Sequence, residues 1–286
     1  MLPTERRERL RAQLAKPECI QPASVFDPLS ARMAERLGFE TAVLAGSVAS
    51  AVAVGVPDVG LITLTELAET ARRITRASDL GLVVDADHGY GNALNARRTV
   101  RELEDAGVSA LTIEDTELPQ AYGTTGERLI SAAEAQGKLR AALDGRQDTA
   151  TVIVGRTHAM RSKGLEGAVG RVRAYASCGV DALFLVGVST LEEVEALAEA
   201  AGGLPLVLGN PPAALDDASL AERGVRLAFR GHPAFLAMVQ AVREGLEAQA
   251  GLRSAEDIAG RLATPELLAE ATAAADHARW AEEFLR

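Results

Sequence analysis

Eight short apolar runs alternate with longer stretches of helical spacing along this chain, and that alternation limits its fold more than any other feature. The runs are Ala23–Phe26, Thr41–Ala45, Leu82–Asp85, Ala110–Glu114, Thr151–Arg156, Ala182–Val186, Leu206–Leu208 and Arg226–Phe229. They are continuously apolar, as parallel strands buried on both faces are. Helices are expected between them, over Pro28–Leu37, Thr65–Ser78, Asn92–Ala106, Ala132–Leu143, Leu165–Ser177, Leu191–Ala200 and Leu215–Arg223. Asp27 can cap the first of these and Gly38 can end it. Gly107, Gly179 and Gly224 each stand between a helix and the next strand, where a left-handed residue suits glycine.

Eight such units in an α/β chain predict a (β/α)8 TIM barrel. A doubly wound open sheet is the alternative, but the G-x-G-x-x-G signature after its first strand is missing. Leu236–Ala248 supplies the eighth helix. Ala255–Leu262 and Pro265–Phe284 are then extra C-terminal helices with Leu267, Leu268, Trp280 and Phe284 as apolar contacts. One barrel domain over residues 1–286 is expected, with 255–286 as a helical extension. A tail helix that a barrel does not need commonly packs on a neighbouring subunit, which predicts an oligomer. The alternative is that it folds back on its own barrel.

Charge and cysteine content narrow the function classes. Lys and Arg number 30 against 40 Asp and Glu, a net charge of −10. That balance argues against nucleic-acid and anionic-membrane surfaces, which need basic patches. No run approaches the ~18 apolar residues of a membrane span, and the first residues lack the apolar stretch of a signal peptide. Cys19 and Cys178 form no C-x-x-C motif and no disulfide framework, so both read as free thiols. A soluble cytoplasmic protein is expected.

In a barrel, chemistry gathers where the strands end. The third strand ends in Asp85-Ala86-Asp87-His88-Gly89-Tyr90-Gly91, the fourth in Glu114-Asp115 and the fifth in Arg156-Thr157-His158. Asp85 and Asp87, at i and i+2, are expected on one face, with Glu114 beside them. Three converging carboxylates repel each other unless a cation sits between them. An all-oxygen set suits a hard cation, Mg²⁺ with Mn²⁺ as the alternative, and Asp85 is the expected direct ligand. A single Asp at such a place more often caps a helix. The fork of Arg156 matches a carboxylate, though it can equally pair with one of the acids. Gly46-Ser47 after the second strand offers backbone N–H groups and a hydroxyl to an anion. Asn210 and His232 follow the last two strands, and His232 can orient a substrate or move a proton. His88 is expected to support a ligand carboxylate, and His277 has no expected role.

These strand ends resemble the isocitrate lyase/phosphoenolpyruvate mutase superfamily, from about Ser24 to His232. The D-A-D-x-G-Y-G stretch at Asp85–Gly91 is the most specific part, with Gly46–Ser50, Thr112–Asp115 and Arg156-Thr157 beside it. The resemblance implies a (β/α)8 barrel, Mg²⁺ on the aspartates and 2-keto acid chemistry through an enolate. It also implies homotetramers whose C-terminal helix swaps between subunits. The loop Asp115–Arg128 holds no Cys, unlike that of the isocitrate and methylisocitrate lyases, and lacks the Lys and Asn of the mutase and phosphonopyruvate hydrolase branches. The oxaloacetate decarboxylase branch is the most similar, through Ala23–Pro28, Gly46–Ser50, Leu61–Leu64, Asp85–Arg97 and Gly231-His232. It implies Mg²⁺-dependent decarboxylation of oxaloacetate to pyruvate and CO₂, with Asp85 on the metal and Ser47, Arg156 and His232 on the substrate. The chain departs from that branch at Val207-Leu208, where a Tyr is expected, and at His158, where Asn is expected. Three alternatives stand beside this reading: a lyase acting on a 2-alkylmalate-type acid, a phosphonopyruvate-acting enzyme, and a non-catalytic dicarboxylate-binding protein.

Overall fold

The computed structural model describes residues 1–286. Its strands are β1 (Ala23–Ser24), β2 (Thr41–Leu44), β3 (Gly81–Asp85), β4 (Ala110–Glu114), β5 (Val152–Thr157), β6 (Ala182–Val186), β7 (Leu206–Gly209) and β8 (Val225–Phe229). They form one eight-stranded parallel sheet in chain order. The sheet edges meet just before β1. Ile20 bridges Leu227 of β8, its N–H donating to the Arg226 carbonyl at 3.0 Å and its own carbonyl accepting from Ala228 at 3.0 Å. The expected barrel order is therefore present, with β1 reduced to two residues and closure carried by Ile20.

The helices are α1 (Pro3–Ala15), α2 (Pro28–Arg36), α3 (Gly46–Ala53), α4 (Leu64–Ala77), α5 (Ala93–Asp105), α6 (Ala132–Gly145), α7 (Ala159–Ala176), α8 (Leu191–Ala201), α9 (Asp217–Glu222), α10 (Pro233–Gln249), α11 (Glu256–Ala259), α12 (Pro265–Ala271) and α13 (Ala274–Phe284). Caps explain many of the starts. Asp27, Thr63, Asn92, Ser131, Thr190 and Asp216 each accept a backbone N–H from the first turn that follows. Gly107, Gly179 and Gly224 take φ of +82°, +86° and +82°, as their places after helices required.

Several elements differ from the sequence expectation. Helix α3 was not expected: Gly46-Ser47 is the first turn of a helix, not an isolated turn. Helix α7 starts six residues early and contains a break at Gly164, φ +65°. The expected long helix Pro265–Phe284 is two helices, divided at Ala273 with φ +53°. Helix α12 lies against α2 of its own chain, with Arg32 donating to the Ala271 carbonyl and Arg36 3.7 Å from Glu270.

Two apolar layers follow from strand alternation. Outward residues such as Leu44, Leu82, Val84, Leu111, Ile113, Ile153, Leu183 and Leu208 meet the helices. Inward residues Val83, Ala110, Val152, Val154, Ala182, Phe184, Val207 and Leu227 fill the barrel. Leu10 and Leu14 of α1 join that inner set and close the bottom. Sequence pattern alone hid this helix, because six of its thirteen residues are charged and its apolar stripe is short. Two of its arginines, Arg6 and Arg7, are buried and donate to backbone carbonyls. Arg6 Nη1 donates to the carbonyls of Thr75 and Ser78 (2.6 and 2.9 Å), and Arg7 to those of Val108 and Glu104 (3.0 and 2.7 Å). These carbonyls lie at or near the C-terminal ends of α4 and α5, where cations are favoured.

Leu10 is 1% exposed. Leu10→Ala should lower the unfolding free energy by about 3 kcal/mol, read by urea denaturation. A loss below about 1 kcal/mol, the size of a surface substitution, would contradict the plug role.

Candidate active site

The strand ends surround a cavity of about 420 Å³. Ser47, Asp85, Asp87, Glu114, Arg156, Asn210 and His232 all line it. Gly46 stands immediately behind them, its N–H 3.4 Å from Asp85 Oδ2. Sequence reasoning thus brought one group of residues together from six strand ends.

Register explains the arrangement. Glu114 sits opposite Arg156 on the neighbouring strand, Arg156 opposite Phe184, and Asp85 opposite Thr112. Arg156 lies between the acids, with Nη1 2.5 Å from Asp85 Oδ2 and Nε 3.0 Å from Glu114 Oε2. Its guanidinium carbon is 4.9 Å from the centre of the Phe184 ring, which itself meets Phe229 edge-on at 5.2 Å. An aromatic floor therefore backs the charge layer. Burial opposes the charge of Arg156, but Asp85 and Glu114 outweigh it and raise its pKa. Burial alone would raise Glu114 too. Arg156, His158 and Thr116 reverse that and hold it at about 2.

Asp87 reaches the cavity by a different route from the one expected. Strand alternation stops at Asp85. Asp87 has φ +46°, a left-handed residue in the turn that follows, and its carbonyl accepts the Glu114 N–H at 2.8 Å. Burial first, then repulsion from Asp85 and Glu114, pushes its carboxyl up to about 9. A Cβ on Gly46 would lie 2.6 Å from Asp87 Oδ1 and 3.3 Å from Asp85 Oδ2. Only glycine lets the start of α3 approach both carboxylates.

The three acids do not form a preassembled cage, since no three acidic, imidazole or thiol groups are set to hold a metal ion. Glu114 faces Arg156, Thr116 and His158 instead. Asp85 and Asp87 still fit a hard cation. Both are oxygen donors, both approach one point beside Gly46, and the burial and acid repulsion that raise Asp87 are what a bound cation would offset. Mg²⁺ keeps several waters, so two protein carboxylates suffice.

The neighbouring groups are held in place. His232 Nδ1 is 2.8 Å from Ser24 Oγ, and burial lowers its pKa against the pull of Asp85, so the ring is neutral near pH 7. Asn210 takes φ +51° and donates its N–H to the Phe229 carbonyl at 2.7 Å. His88 does not support a carboxylate: its carbonyl accepts from buried Lys138 at 3.0 Å, and its Nδ1 has no partner. Leu208 faces the helices and Val207 lies in the inner apolar layer, and neither lines the cavity.

The β4–α6 loop forms one wall. Asp115, fully buried at its base, accepts from Thr157 Oγ1, Tyr175 Oη and Arg171 Nη1 at 2.6, 2.7 and 2.9 Å. Arg171 also donates to the Ile130 carbonyl at 2.7 Å, which ties the two ends of the loop together. Thr116 and Leu129 pair in antiparallel fashion above.

Residues 10–250 match the family model described as phosphoenolpyruvate phosphomutase. This chain belongs to that family. Among relatives of the phosphomutase family, a protein of Rhodopseudomonas palustris (strain BisA53) called oxaloacetate decarboxylase is 53% identical over 268 residues, 93% of this chain and 92% of its own. A structure of oxaloacetate acetylhydrolase with the inhibitor 3,3-difluorooxalacetate superposes with a TM-score of 0.86 at 26% identity, covering 99% of this chain and 98% of that one. A phosphonopyruvate hydrolase structure with oxalate and Mg²⁺ gives 0.85 at 27% identity, with complete coverage of both chains.

Sequence reasoning missed several lining groups of this phosphomutase-family site. Asp58 comes from the α3–α4 loop, and its carboxyl is raised by burial, then by Asp85 and Glu114. Nothing periodic marks a loop Asp. Phe184 and Phe229 fall within apolar strand runs, and their inward register makes them the floor. Glu127 and Arg161 lie outside regular strands.

Arg156→Met should cost about 3 kcal/mol at pH 7, since it removes the guanidinium from Asp85 and leaves buried Glu114 with His158 as its one remaining ion-pair partner. The wild-type Glu114 contribution is complete above its unfolded value of about 4.3 and is lost as the pH falls towards about 2. In the variant Glu114 loses the largest of the contacts that hold its pKa down, so it protonates at higher pH and the deficit should shrink between pH 7 and pH 5. A pH-independent deficit in denaturation midpoints would contradict this assignment.

Proposed function

We propose that this chain decarboxylates oxaloacetate to pyruvate and CO₂ with the help of a divalent cation. The observation that carries the reading is the composition of one cavity: carboxylates Asp85 and Asp87 beside the start of α3 with Ser47, Arg156 against Asp85, and His232 in the same lining. Such a cavity suits a small 2-keto dicarboxylate. Bound Mg²⁺, or Mn²⁺ in its place, supplies Lewis-acid polarisation of a keto oxygen. Asp85 is the direct ligand in this reading, with Asp87 and Glu114 supporting it through water.

The chain's own residues do the rest. Arg156, pinned by two acids, offers a guanidinium edge that does not reorganise, and it donates to a substrate carboxylate together with the Ser47 hydroxyl at the start of α3. Gly46 supplies a backbone N–H in the same turn. Asn210 and neutral His232 fix the substrate from the β7 and β8 side. The C3–C4 bond breaks, CO₂ leaves, and the electron pair passes to the enolate of pyruvate, which then takes a proton at C3. Ser24 holds Nδ1 of His232, so Nε2 is the nitrogen that can orient the substrate or pass that proton. The step needs no nucleophile, and neither cysteine lines the cavity. Cys19 is a poor thiolate in any case, since burial, then Asp217, pushes it up to about 11. The relative named oxaloacetate decarboxylase supports the choice of substrate.

The same reading includes a homotetramer. Leu236, Val239, Val242 and Leu246 lie along one side of α10 and are 65%, 49%, 52% and 58% exposed. A second copy, with its C-terminal helices exchanged, would cover them. A cytoplasmic location is supported by the two free cysteines. No helix is long and apolar enough to cross a membrane.

The test is pyruvate formation from oxaloacetate with Mg²⁺ and with EDTA, set against the metal-only background and Asp85→Ala. The expected result is enzyme-dependent pyruvate that EDTA and the variant both abolish. Phosphate release from phosphonopyruvate, cleavage of a 2-alkylmalate, or full activity in Asp85→Ala would contradict the reading. Light scattering should give four times the 30.0 kDa chain mass; a monodisperse monomer would remove the tetramer.

A further inference from the structure

We propose that Glu127 and His158 form a latch that holds the tip of the β4–α6 loop over the cavity, and that His158 carries loop closure to Glu114. The proposal rests on the reading that this cavity is the reaction site. It is independent of which keto acid enters.

The loop divides into a fixed stem and a loosely held tip. Its stem is fastened by the Thr116–Leu129 pairing, by the Glu117 N–H to the Arg128 carbonyl at 2.8 Å and by the Ile130 N–H to the Asp115 carbonyl at 2.9 Å. Buried Asp115 and Arg171 anchor its base. The tip, residues 118–127, bonds mainly to itself: Gln120 donates to the Thr124 carbonyl at 2.7 Å, and Thr124 Oγ1 to the Ala121 carbonyl at 2.7 Å. Tyr122 is fully exposed. One polar tie joins the tip to the barrel, from Glu127 Oε2 to His158 Nδ1 at 2.8 Å. A segment with few external bonds opens locally at low cost, so a single charge-assisted contact decides how long it stays closed.

The other end of the imidazole makes this more than a surface contact. His158 Nε2 lies 3.1 Å from Glu114 Oε2, and Glu114 in turn pairs with Arg156. The ring is buried, and its backbone N–H donates to Asp115 at 3.2 Å, so it cannot follow the loop outward. One ring therefore faces two carboxylates, one from the loop tip and one from the rim. When Glu127 leaves, the ring loses the partner that sets its rotation, and Glu114 loses a fixed neighbour. His158 is in this sense a positioning residue, acting on the reaction through Glu114, while Glu127 governs access.

Two isosteric changes separate these roles. Asn at 158 places an amide nitrogen near the site of Nδ1, so His158→Asn keeps the loop contact and loses the Glu114 contact. Gln reaches the site of Nε2, so His158→Gln does the opposite. The experiment is hydrogen–deuterium exchange of the peptide covering residues 118–128, on the whole protein in EDTA without substrate. Glu127→Ala and His158→Gln should speed tip exchange about tenfold or more, equivalent to about 1.4 kcal/mol, while the 115–117 stem stays protected and the melting temperature holds. His158→Asn should leave the tip protected. With oxaloacetate, Glu127→Ala should raise KM more than it lowers kcat, and His158→Asn should lower kcat with little change in KM.

Unchanged tip exchange in both Glu127→Ala and His158→Gln would overturn the latch. Equal release in all three variants would overturn the two-ended role of His158. Because Glu127 is a third exposed at its side chain, its replacement by Ala leaves a folded protein to read even if substitutions at His158 do not. Lack of activity on oxaloacetate would leave the exchange result intact, so failure of the substrate assignment and failure of the latch are separable.

Discussion

Arg156 is the charge on which the site depends. Three acids, Asp85, Asp87 and Glu114, stand within one rim of a buried cavity, where repulsion is weakly screened. The guanidinium lies against both Asp85 and Glu114 and, with His158 and Thr116, keeps Glu114 ionised. Asp87, out of its direct reach, responds by holding its proton. The acids Asp58, Asp85, Asp87 and Glu114 outnumber Arg156 and His158 beside them, and that excess of negative groups is a physical reason for the site to take up a divalent cation.

The barrel keeps this layer rigid by dividing its labour along the strands. At the bottom, α1 inserts Leu10 and Leu14 and ties down carbonyls with Arg6 and Arg7. Midway, Val83, Val154, Phe184 and Val207 exclude water. The charged layer lies directly above, on Phe184. The loop above it adds Glu127 and, through His158, a link back to Glu114. Stability at one end and adjustable chemistry at the other is the arrangement that lets barrels change reaction by changing loops.

The order of the fold was readable because parallel strands need continuous apolar runs, and glycine recurred where helices turn into strands. Site residues were readable where they end strands: Asp85, Glu114 and Arg156 take their direction from alternation and their contacts from register. Asp87 was placed correctly for an incomplete reason, since its direction comes from a left-handed turn. Helix α1 escaped because its role lies in two leucines and in arginines that meet carbonyls distant in sequence. Helix α3 escaped because Gly-Ser-Val-Ala-Ser reads as a turn until Asp85 and Asp87 are seen beside its first residues. Asp58, Glu127 and the latch to His158 depend on loop conformations that no periodicity encodes.

The central claim is that Asp85 and Asp87 complete their charge balance with one divalent cation at the barrel rim. Its most direct test is a Mn²⁺ titration followed by electron paramagnetic resonance, comparing the wild-type protein with Asp85→Asn. The account predicts one site per chain in the wild type, Mg²⁺-competable, and loss of that site in the variant. Retention of the same stoichiometry and affinity in Asp85→Asn would contradict it.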